Sequence, residues 1–406
     1  MKAPHLSRRS VLRILGGGAA ASAIIGRVAN ANAAKPVTSS FRNSGDHSVL
    51  RRAVDPLPPL FGLDERIQQR LPWMSLIARP TPCHRLEHLS RRVGADIWIK
   101  RDDLTSPLYG GNKARKNEFL FSDLAANQRN AVLTMGGIGS HHCCSVAATA
   151  STLGWPAMLV QFPQPVTEHV RQMMRWQQLW KPQRVLARAE WTLPFAVLRG
   201  WNRLEHLPRA RPGLIWMGGS SPVGTLGYVD AALEFAQQVR CGDAPMPARM
   251  YVAAGSGGTL AGLIAGFRLA AFPVEVIGVQ IVPSPAITRF SVAWLANAAL
   301  ELISDAAPDL EIPSVSRAEV RLEDRFLGDG YGSPTPEGVA ARRLVWELEG
   351  IPLEDTYTSK TMAALLALSQ PQAGPALFWN TYNSAPPPPL PPWQDLPQAY
   401  HQFYRD

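Results

Sequence analysis

Residues 131–161 read AVLTMGGIGSHHCCSVAATASTLGWPAMLVQ. A short apolar run, Ala131–Met135, leads into a glycine-rich turn. A stretch free of turn residues follows, Ser145–Leu153, and then a second apolar run, Trp155–Gln161. Strand, turn, helix and strand in that order form a unit whose two strands run parallel, because the helix carries the chain back to the starting edge. The unit recurs at Met250–Ala254, with a turn at Gly255–Thr259, a helix reaching Ala271 and a strand over Val274–Gln280. Gly94–Lys100 reads as a further strand. Ala114–Gln128, with Phe119, Leu120 and Leu124 on one face, reads as a helix. The predicted fold is α/β, in two domains, each an open, mostly parallel sheet flanked by helices.

The 406 residues suit two domains of ordinary size. Residues 57–129 and 231–385 are assigned to a large domain and 130–230 to a small one. A composition of 46% hydrophobic and 18% charged residues excludes a disordered chain. The formal net charge is +9, but Lys2, Arg8, Arg9, Arg13 and Arg27 fall in the first 33 residues, where there is no acid. The body therefore carries only about +4, and no nucleic-acid partner is expected. No apolar run is long enough to cross a bilayer, so no stable membrane anchor is expected either. Cys83, Cys143, Cys144 and Cys241 include no CxxC pair, which argues against zinc and against a disulfide framework.

Ser7-Arg-Arg-Ser-Val-Leu-Arg13 precedes a weakly apolar run from Ile14 to Gly26, and Ala31-Asn-Ala33 gives a small-x-small cleavage pattern. Residues 1–33 resemble a twin-arginine signal peptide, which implies the twin-arginine export machinery as a partner and a periplasmic location. An uncleaved basic terminus on a cytoplasmic protein is the alternative. Residues 34–56 are polar and aperiodic and read as a linker. Residues 165–212, rich in Trp, Arg and Gln, read as amphipathic helices over one sheet, or else as a partner surface. The tail, 386–406, opens on Pro386-Pro-Pro-Pro-Leu-Pro-Pro392 and reads as a stiff polyproline spacer.

Three turns carry candidate chemistry. Tyr109-Gly-Gly-Asn-Lys113-Ala-Arg-Lys116 puts a lysine just after two glycines at a helix start. A helix N-terminus depresses a lysine pKa, and a neutral lysine can form an imine with an aldehyde. The plainer reading is a helix start with solvated Lys113, Arg115 and Lys116. Gly255-Ser-Gly-Gly-Thr259 lies between a strand and a helix, where successive N–H groups can hold a phosphate, with Thr259 adding a hydroxyl. It matches neither GxGxxG nor a Walker motif and can equally be a tight turn. Gly136-Gly-Ile-Gly-Ser140-His141-His142 offers Ser140 as proton shuttle or nucleophile and a helix start for a substrate carboxylate. Its alternative is a capping serine beside surface histidines. No third ligand is suitably spaced for a metal. An imine lysine and a phosphate cradle on one α/β scaffold point together to pyridoxal 5'-phosphate.

These motifs occur in order with Gly218-Gly-Ser-Ser-Pro-Val-Gly-Thr-Leu-Gly-Tyr228. Over about residues 57–385 the chain resembles the 1-aminocyclopropane-1-carboxylate deaminase/D-cysteine desulfhydrase family, within the tryptophan-synthase-β-like pyridoxal phosphate enzymes. The resemblance implies that Lys113 carries the cofactor as an imine and that Asn112 lines it. Lys116 would hold the phosphate together with Gly255, Ser256, Gly257, Gly258 and Thr259. Ser140 would lie near the substrate carboxylate and reacting carbon, with His141 and His142 also in substrate contact. His141 stands where relatives carry Asn beside the cofactor's phenolic oxygen, and His142 where they carry Gln or His. Tyr331 and Tyr357 match two active-site tyrosines. Thr358 stands opposite the pyridine nitrogen, where deaminases have Glu and desulfhydrases have Thr.

A large, cofactor-binding domain and a small one then make up a homodimeric lyase or deaminase acting on a small amino acid. D-cysteine, giving sulfide, ammonia and pyruvate, is the lead substrate. 1-Aminocyclopropane-1-carboxylate is the alternative. Proton abstraction would fall to Lys113, Ser140 or a tyrosine. Two departures from the family pattern are His141 and Asn380-Thr-Tyr-Asn383, which replaces a His-Thr-Gly-Gly stretch. Tyr382 and Asn383 are expected to crowd the cofactor, which keeps open a catalytically inactive binding protein on the same fold.

Overall fold

The computed structural model describes residues 56–370, 372 and 374–405. The leader and the linker up to residue 55 lie outside the described residues. Short edge strand β1 (Cys83–Arg85) follows helix α1 (Glu65–Arg70), and helix α2 (Glu87–Val93) leads to β2 (Ile97–Lys100). Helix α3 (Asn112–Ala126), β3 (Ala131–Gly137), α4 (His141–Thr152) and β4 (Ala157–Phe162) come next. Helix α5 (Glu168–Gln178), β5 (Gln183–Leu186), α6 (Leu193–Glu205), β6 (Pro212–Ile215) and α7 (Pro222–Arg240) complete the middle of the chain. The rest is β7 (Arg249–Ala254), α8 (Gly258–Leu269), β8 (Glu275–Gln280), α9 (Arg289–Ala306), β9 (Arg321–Glu323), α10 (Pro336–Glu349), α11 (Thr358–Leu368) and β10 (Ala376–Trp379).

Two sheets form, as the alternation predicts. One has four parallel strands in the order β5-β4-β3-β6. The other has six, in the order β1-β2-β10-β7-β8-β9, parallel except for antiparallel β1. Every residue of β3 and β4 is buried, which is why these strands read as continuous apolar runs rather than alternating ones. The strands match the sequence reading within a few residues, but helix α4 starts at His141, four residues before the expected Ser145. Ser140 accepts the Cys143 N–H at 3.2 Å, so this capped turn folds the His-His-Cys-Cys stretch into the helix.

Helix α3 ties the two sheets together. Phe119 packs in the core of the larger sheet, whereas Leu120, Phe121 and Leu124 pack with Val132, Val146 and Ile215 of the smaller. Each such side chain contributes about 2 kcal/mol of burial. Beneath its first turn lies a buried ionic cluster. Arg115 binds Asp102 at 2.8 Å and Glu234 at 2.9 Å, and Glu234 also holds Lys100 at 2.6 Å. Tyr228 and Trp379 each donate to Asp102 at 2.7 Å. The cluster fixes α3 to the end of β2 and to α7, two residues from Lys113.

Helices α5 and α6 are amphipathic, as expected of the Trp-rich region. Trp176 and Trp201 are buried and Trp191 is exposed. The tail is not a free spacer. Its carbonyls at Leu390 and Pro391 accept from Arg175, and Leu396 and Tyr400 are buried against Ile138, Val170 and Met174. The run is held by its own carbonyls at Leu390 and Pro391 and by the side chains of Leu396 and Tyr400 beyond it, none of which a polyproline pattern marks. Among the described residues, no helix is long and apolar enough to cross a membrane.

Candidate active site

The turn before α3 is built on glycine. Gly111 caps the helix at φ +89°, a conformation that favours glycine, and a Cβ there would lie 2.6 Å from the Tyr382 carbonyl oxygen. The Gly110 N–H donates to Asn383 Oδ1 at 2.7 Å, and the Asn112 N–H to the Thr381 carbonyl at 3.2 Å. Asn383 is thus turned onto the glycine turn rather than standing free in the site, which differs from the crowding expected of it. Lys113 emerges from this turn and donates to Asn112 Oδ1 at 2.9 Å. Burial brings its pKa down to about 8, opposed by the negative charge of Glu354. Such an amine is about one fifth neutral at pH 7.4, far more than an ordinary lysine, and the neutral form is the one that makes an imine. Arg115 and Lys116, read as solvated in the plainer alternative, are buried.

Lys116 leads to the second turn. Its ammonium group donates to the Gly218 carbonyl at 3.1 Å and the Ser220 hydroxyl at 3.3 Å. Among the described residues it has no carboxylate partner. Burial and the charge of Lys113 push its pKa well down. The Gly258 N–H donates to Ser220 Oγ at 3.1 Å, and Ser220 lies 2.7 Å from Ser256 Oγ. Gly257 takes φ +86° at the N-cap of α8. Side chains at Gly218 and Gly258 would collide with the Ser256 and Ser220 hydroxyls. Asn112 Nδ2 donates to Thr259 Oγ1 at 2.9 Å, closing the gap to the Lys113 turn. A buried, acid-free ammonium group beside a glycine-lined helix start suits a phosphate, so the residues present fit pyridoxal phosphate.

Ser140, His141 and His142 open α4. The single hydroxyl proton of Thr134 goes to the Ile215 carbonyl at 2.8 Å, so His142 Nε2 must donate to Thr134 Oγ1, also at 2.8 Å. Burial and the charges of Lys113 and Lys116 push its pKa well below the usual range, so His142 is a neutral, buried histidine. His141 Nδ1 lies 2.6 Å from the Tyr109 hydroxyl, and its Nε2 lies 3.1 Å from His169 Nε2. Burial and the charges of His169 and Lys113 push its pKa well below the usual range. Tyr382 sets its ring edge-on against His141, with centroids 5.3 Å apart. Neither histidine belongs to the surface pair of the alternative reading.

Tyr331 and Tyr357 meet at 2.9 Å through their hydroxyls. Burial pushes Tyr331 up to about 12 and Tyr357 well above its ordinary value. The Tyr331 loop reaches the Ser140 turn through Gln164, whose Oε1 accepts the Gly139 N–H at 3.1 Å and whose amide nitrogen faces Gly332. Tyr357 borders Gly255. Thr358 begins α11, and its Oγ1 accepts the Glu354 N–H at 2.9 Å. The Glu354 carboxylate accepts the N–H groups of Thr356, Tyr357 and Thr358, each at 2.7 Å, and the Thr358 hydroxyl lies 3.2 Å away. This carboxylate is engaged by the helix start.

Sequence reasoning did not single out Glu354, Tyr109 or His169. An acid just before a helix start is a local signal that marks Glu354. Tyr109 adjoins the glycine pair. His169 meets His141 only through tertiary folding, 28 residues on. Among the described residues no three His, Cys, Asp or Glu side chains come together as a metal site.

The chain matches the family of pyridoxal-phosphate dependent enzymes over residues 74–378. It is 36% identical over 321 residues to a D-cysteine desulfhydrase of Klebsiella pneumoniae, covering 77% of this chain and 94% of that one. It is 35% identical over 323 residues to the D-cysteine desulfhydrase of Salmonella paratyphi B, with the same coverage. A crystal structure described as an ACC deaminase homologue shares 30% identity and a TM-score of 0.68, covering 81% of this chain and 96% of that one.

Proposed function

The chain belongs to the pyridoxal-phosphate-dependent enzymes and is a lyase or deaminase, and on that footing we propose that its substrate is D-cysteine, split to sulfide, ammonia and pyruvate. When bound, pyridoxal phosphate supplies an aldehyde carbon for an amine and a conjugated ring that accepts the electron pair left at Cα. Lys113 would hold the cofactor through its amine, and its free Nζ would be the base that takes the Cα proton of the substrate. Lys116 and the Gly255–Thr259 turn hold the phosphate. The start of α4, with Ser140, receives the substrate carboxylate. Tyr331 and Tyr357, protonated at neutral pH, are positioned to hand a proton to a departing thiolate.

The observation that carries the choice of substrate is the hydroxyl of Thr358. The family resemblance would set the ring nitrogen against Thr358, and a hydroxyl there would not hold a proton on it as a carboxylate would. The Glu354 carboxylate behind it is engaged by three backbone N–H groups. A weaker electron sink suffices when a thiolate leaves from Cβ, because elimination drains the charge at once. Opening a cyclopropane ring has no such leaving group. We expect kcat/KM for D-cysteine and β-chloro-D-alanine to exceed that for 1-aminocyclopropane-1-carboxylate by about 100-fold, or ~2.7 kcal/mol. Steady-state keto-acid release measures this. Preference for the cyclopropane substrate would favour the ring-opening reading. Turnover of none of them would favour a binding protein, for which the Tyr382 ring against His141 is the supporting observation.

The proposal extends to a periplasmic homodimer delivered by twin-arginine export, supported by Arg8-Arg9 ahead of a weakly apolar run. That route moves folded proteins, which suits an enzyme that takes up its cofactor before export. Arg8→Lys combined with Arg9→Lys should leave uncleaved precursor in the cytoplasm, as cell fractionation would reveal. Normal periplasmic levels of mature double variant would contradict the assignment.

A further inference from the structure

We propose that the C-terminal strap is part of the catalytic frame, with Tyr400 acting as a positioning residue for the Gly136–Ser140 turn through Gln161 and Gln177. The inference rests on the reading of Ser140 given above. The strap lies beyond the stretch that matches the family, which ends at residue 378. It is nevertheless anchored at several points. Arg171 Nε donates to the Phe403 carbonyl at 3.0 Å, and the Tyr404 hydroxyl donates to the Arg171 carbonyl at 2.5 Å. The Tyr400 ring lies 5.3 Å from the Arg184 guanidinium carbon.

From Tyr400 a closed chain of hydrogen bonds runs to the site. Its hydroxyl donates to Gln161 Oε1 at 3.0 Å. Gln161 Nε2 donates to Gln177 Oε1 at 3.0 Å and to the Gly137 carbonyl at 3.2 Å. Gln177 Nε2 donates to the carbonyls of Ile138 and Ser140, both at 3.1 Å. Tyr400, Gln161 and Gln177 are all buried. The directions are fixed by the carbonyls of Gly137, Ile138 and Ser140, which only accept. Gln161 must therefore turn its NH2 toward Gln177 and Gly137, which leaves its Oε1 to accept from the Tyr400 hydroxyl. A flipped Gln161 amide would set oxygen against oxygen at both places. Arg184 Nη1, 3.4 Å from Gln161 Oε1, backs the same orientation. The strap therefore supplies the donor that holds Gln161 in place, and Gln161 and Gln177 hold the backbone of the turn that presents Ser140.

The test compares three full-length holoenzyme variants. Tyr400→Phe keeps the ring against Arg184 and removes only the hydroxyl. Tyr404→Phe loosens a strap anchor without touching the glutamines. Ser140→Ala tests the site itself. For Tyr400→Phe we expect kcat to fall about fivefold, the size of one neutral hydrogen bond. KM should stay within about twofold, with unchanged cofactor content and amide exchange across residues 137–141 faster by a similar factor. Tyr404→Phe should alter neither kcat nor that exchange. The proposal is overturned if Tyr400→Phe keeps the parent kcat and exchange, or if both tyrosine variants lower kcat alike, as a merely stabilising strap would produce. Parent-level turnover of Ser140→Ala would overturn the reading of Ser140 instead, and the exchange measurement would still decide the role of Tyr400.

Discussion

Lys113→Ala is expected to abolish turnover while leaving the chain folded. Removing a general base alone lowers a rate by about 10²–10⁴-fold. In the proposed mechanism Lys113 also carries the cofactor, so a loss of at least ~10³-fold is expected. The fold should survive because the side-chain hydrogen bond of Lys113 goes only to neighbouring Asn112 among the described residues. The Arg115–Glu234–Lys100 cluster below it stays intact. Pyridoxal phosphate should still bind through Lys116 and the Gly255–Thr259 turn, with the spectrum of a free aldehyde rather than of a lysine-linked cofactor. Circular dichroism, visible absorbance and keto-acid release separate these statements. Normal turnover by this variant would remove Lys113 from the mechanism.

The second large effect is on stability. Glu234→Ala should destabilise the protein by about 3–5 kcal/mol, because it strands buried cations. Burial alone would raise the Glu234 carboxyl, but the charges and hydrogen bonds of Arg115 and Lys100 outweigh it and hold the group well below the ordinary carboxylate range. Without it, Lys100 is left with the neutral Thr81 carbonyl and Gln238 Oε1, and Arg115 with Asp102 as its acid. Thr81 also loses the acceptor of its N–H, now at 3.0 Å. Helix α3 is pinned at Arg115, so the damage should reach Lys113 as weakened cofactor binding. The guanidinium midpoint of the holoenzyme measures the first effect, and cofactor retention on dialysis the second. A midpoint within error of the parent would show that the cluster does not hold α3.

Much of this architecture is local and therefore legible. The parallel strands are short apolar runs set off by glycine turns, and β3 and β4 are buried on both faces, so burial and sequence carry the same signal. Gly111 betrays its turn because its backbone conformation favours glycine. Lys113 is visible through its position after Gly110-Gly111-Asn112. What stays hidden depends on folding across long separations. Tyr400 meets Gln161 across 239 residues, and no period or motif links them. The packing of the tail is hidden for the same reason, since its polyproline run describes stiffness and says nothing of the pockets that Leu396 and Tyr400 fill. Surface histidines were a fair alternative for His141 and His142, because the contacts that bury them come from Thr134, Tyr109 and His169.

The central claim is that this chain carries pyridoxal phosphate on Lys113. Borohydride reduction of the holoenzyme, followed by proteolysis and peptide mass analysis, tests it most directly, because reduction makes the bond between cofactor and lysine permanent. The expected result is one pyridoxyl group per chain, on the peptide that contains Lys113. Labelling of Lys116 or Lys360 in its place, or no label on a chain that contains the cofactor, would contradict it.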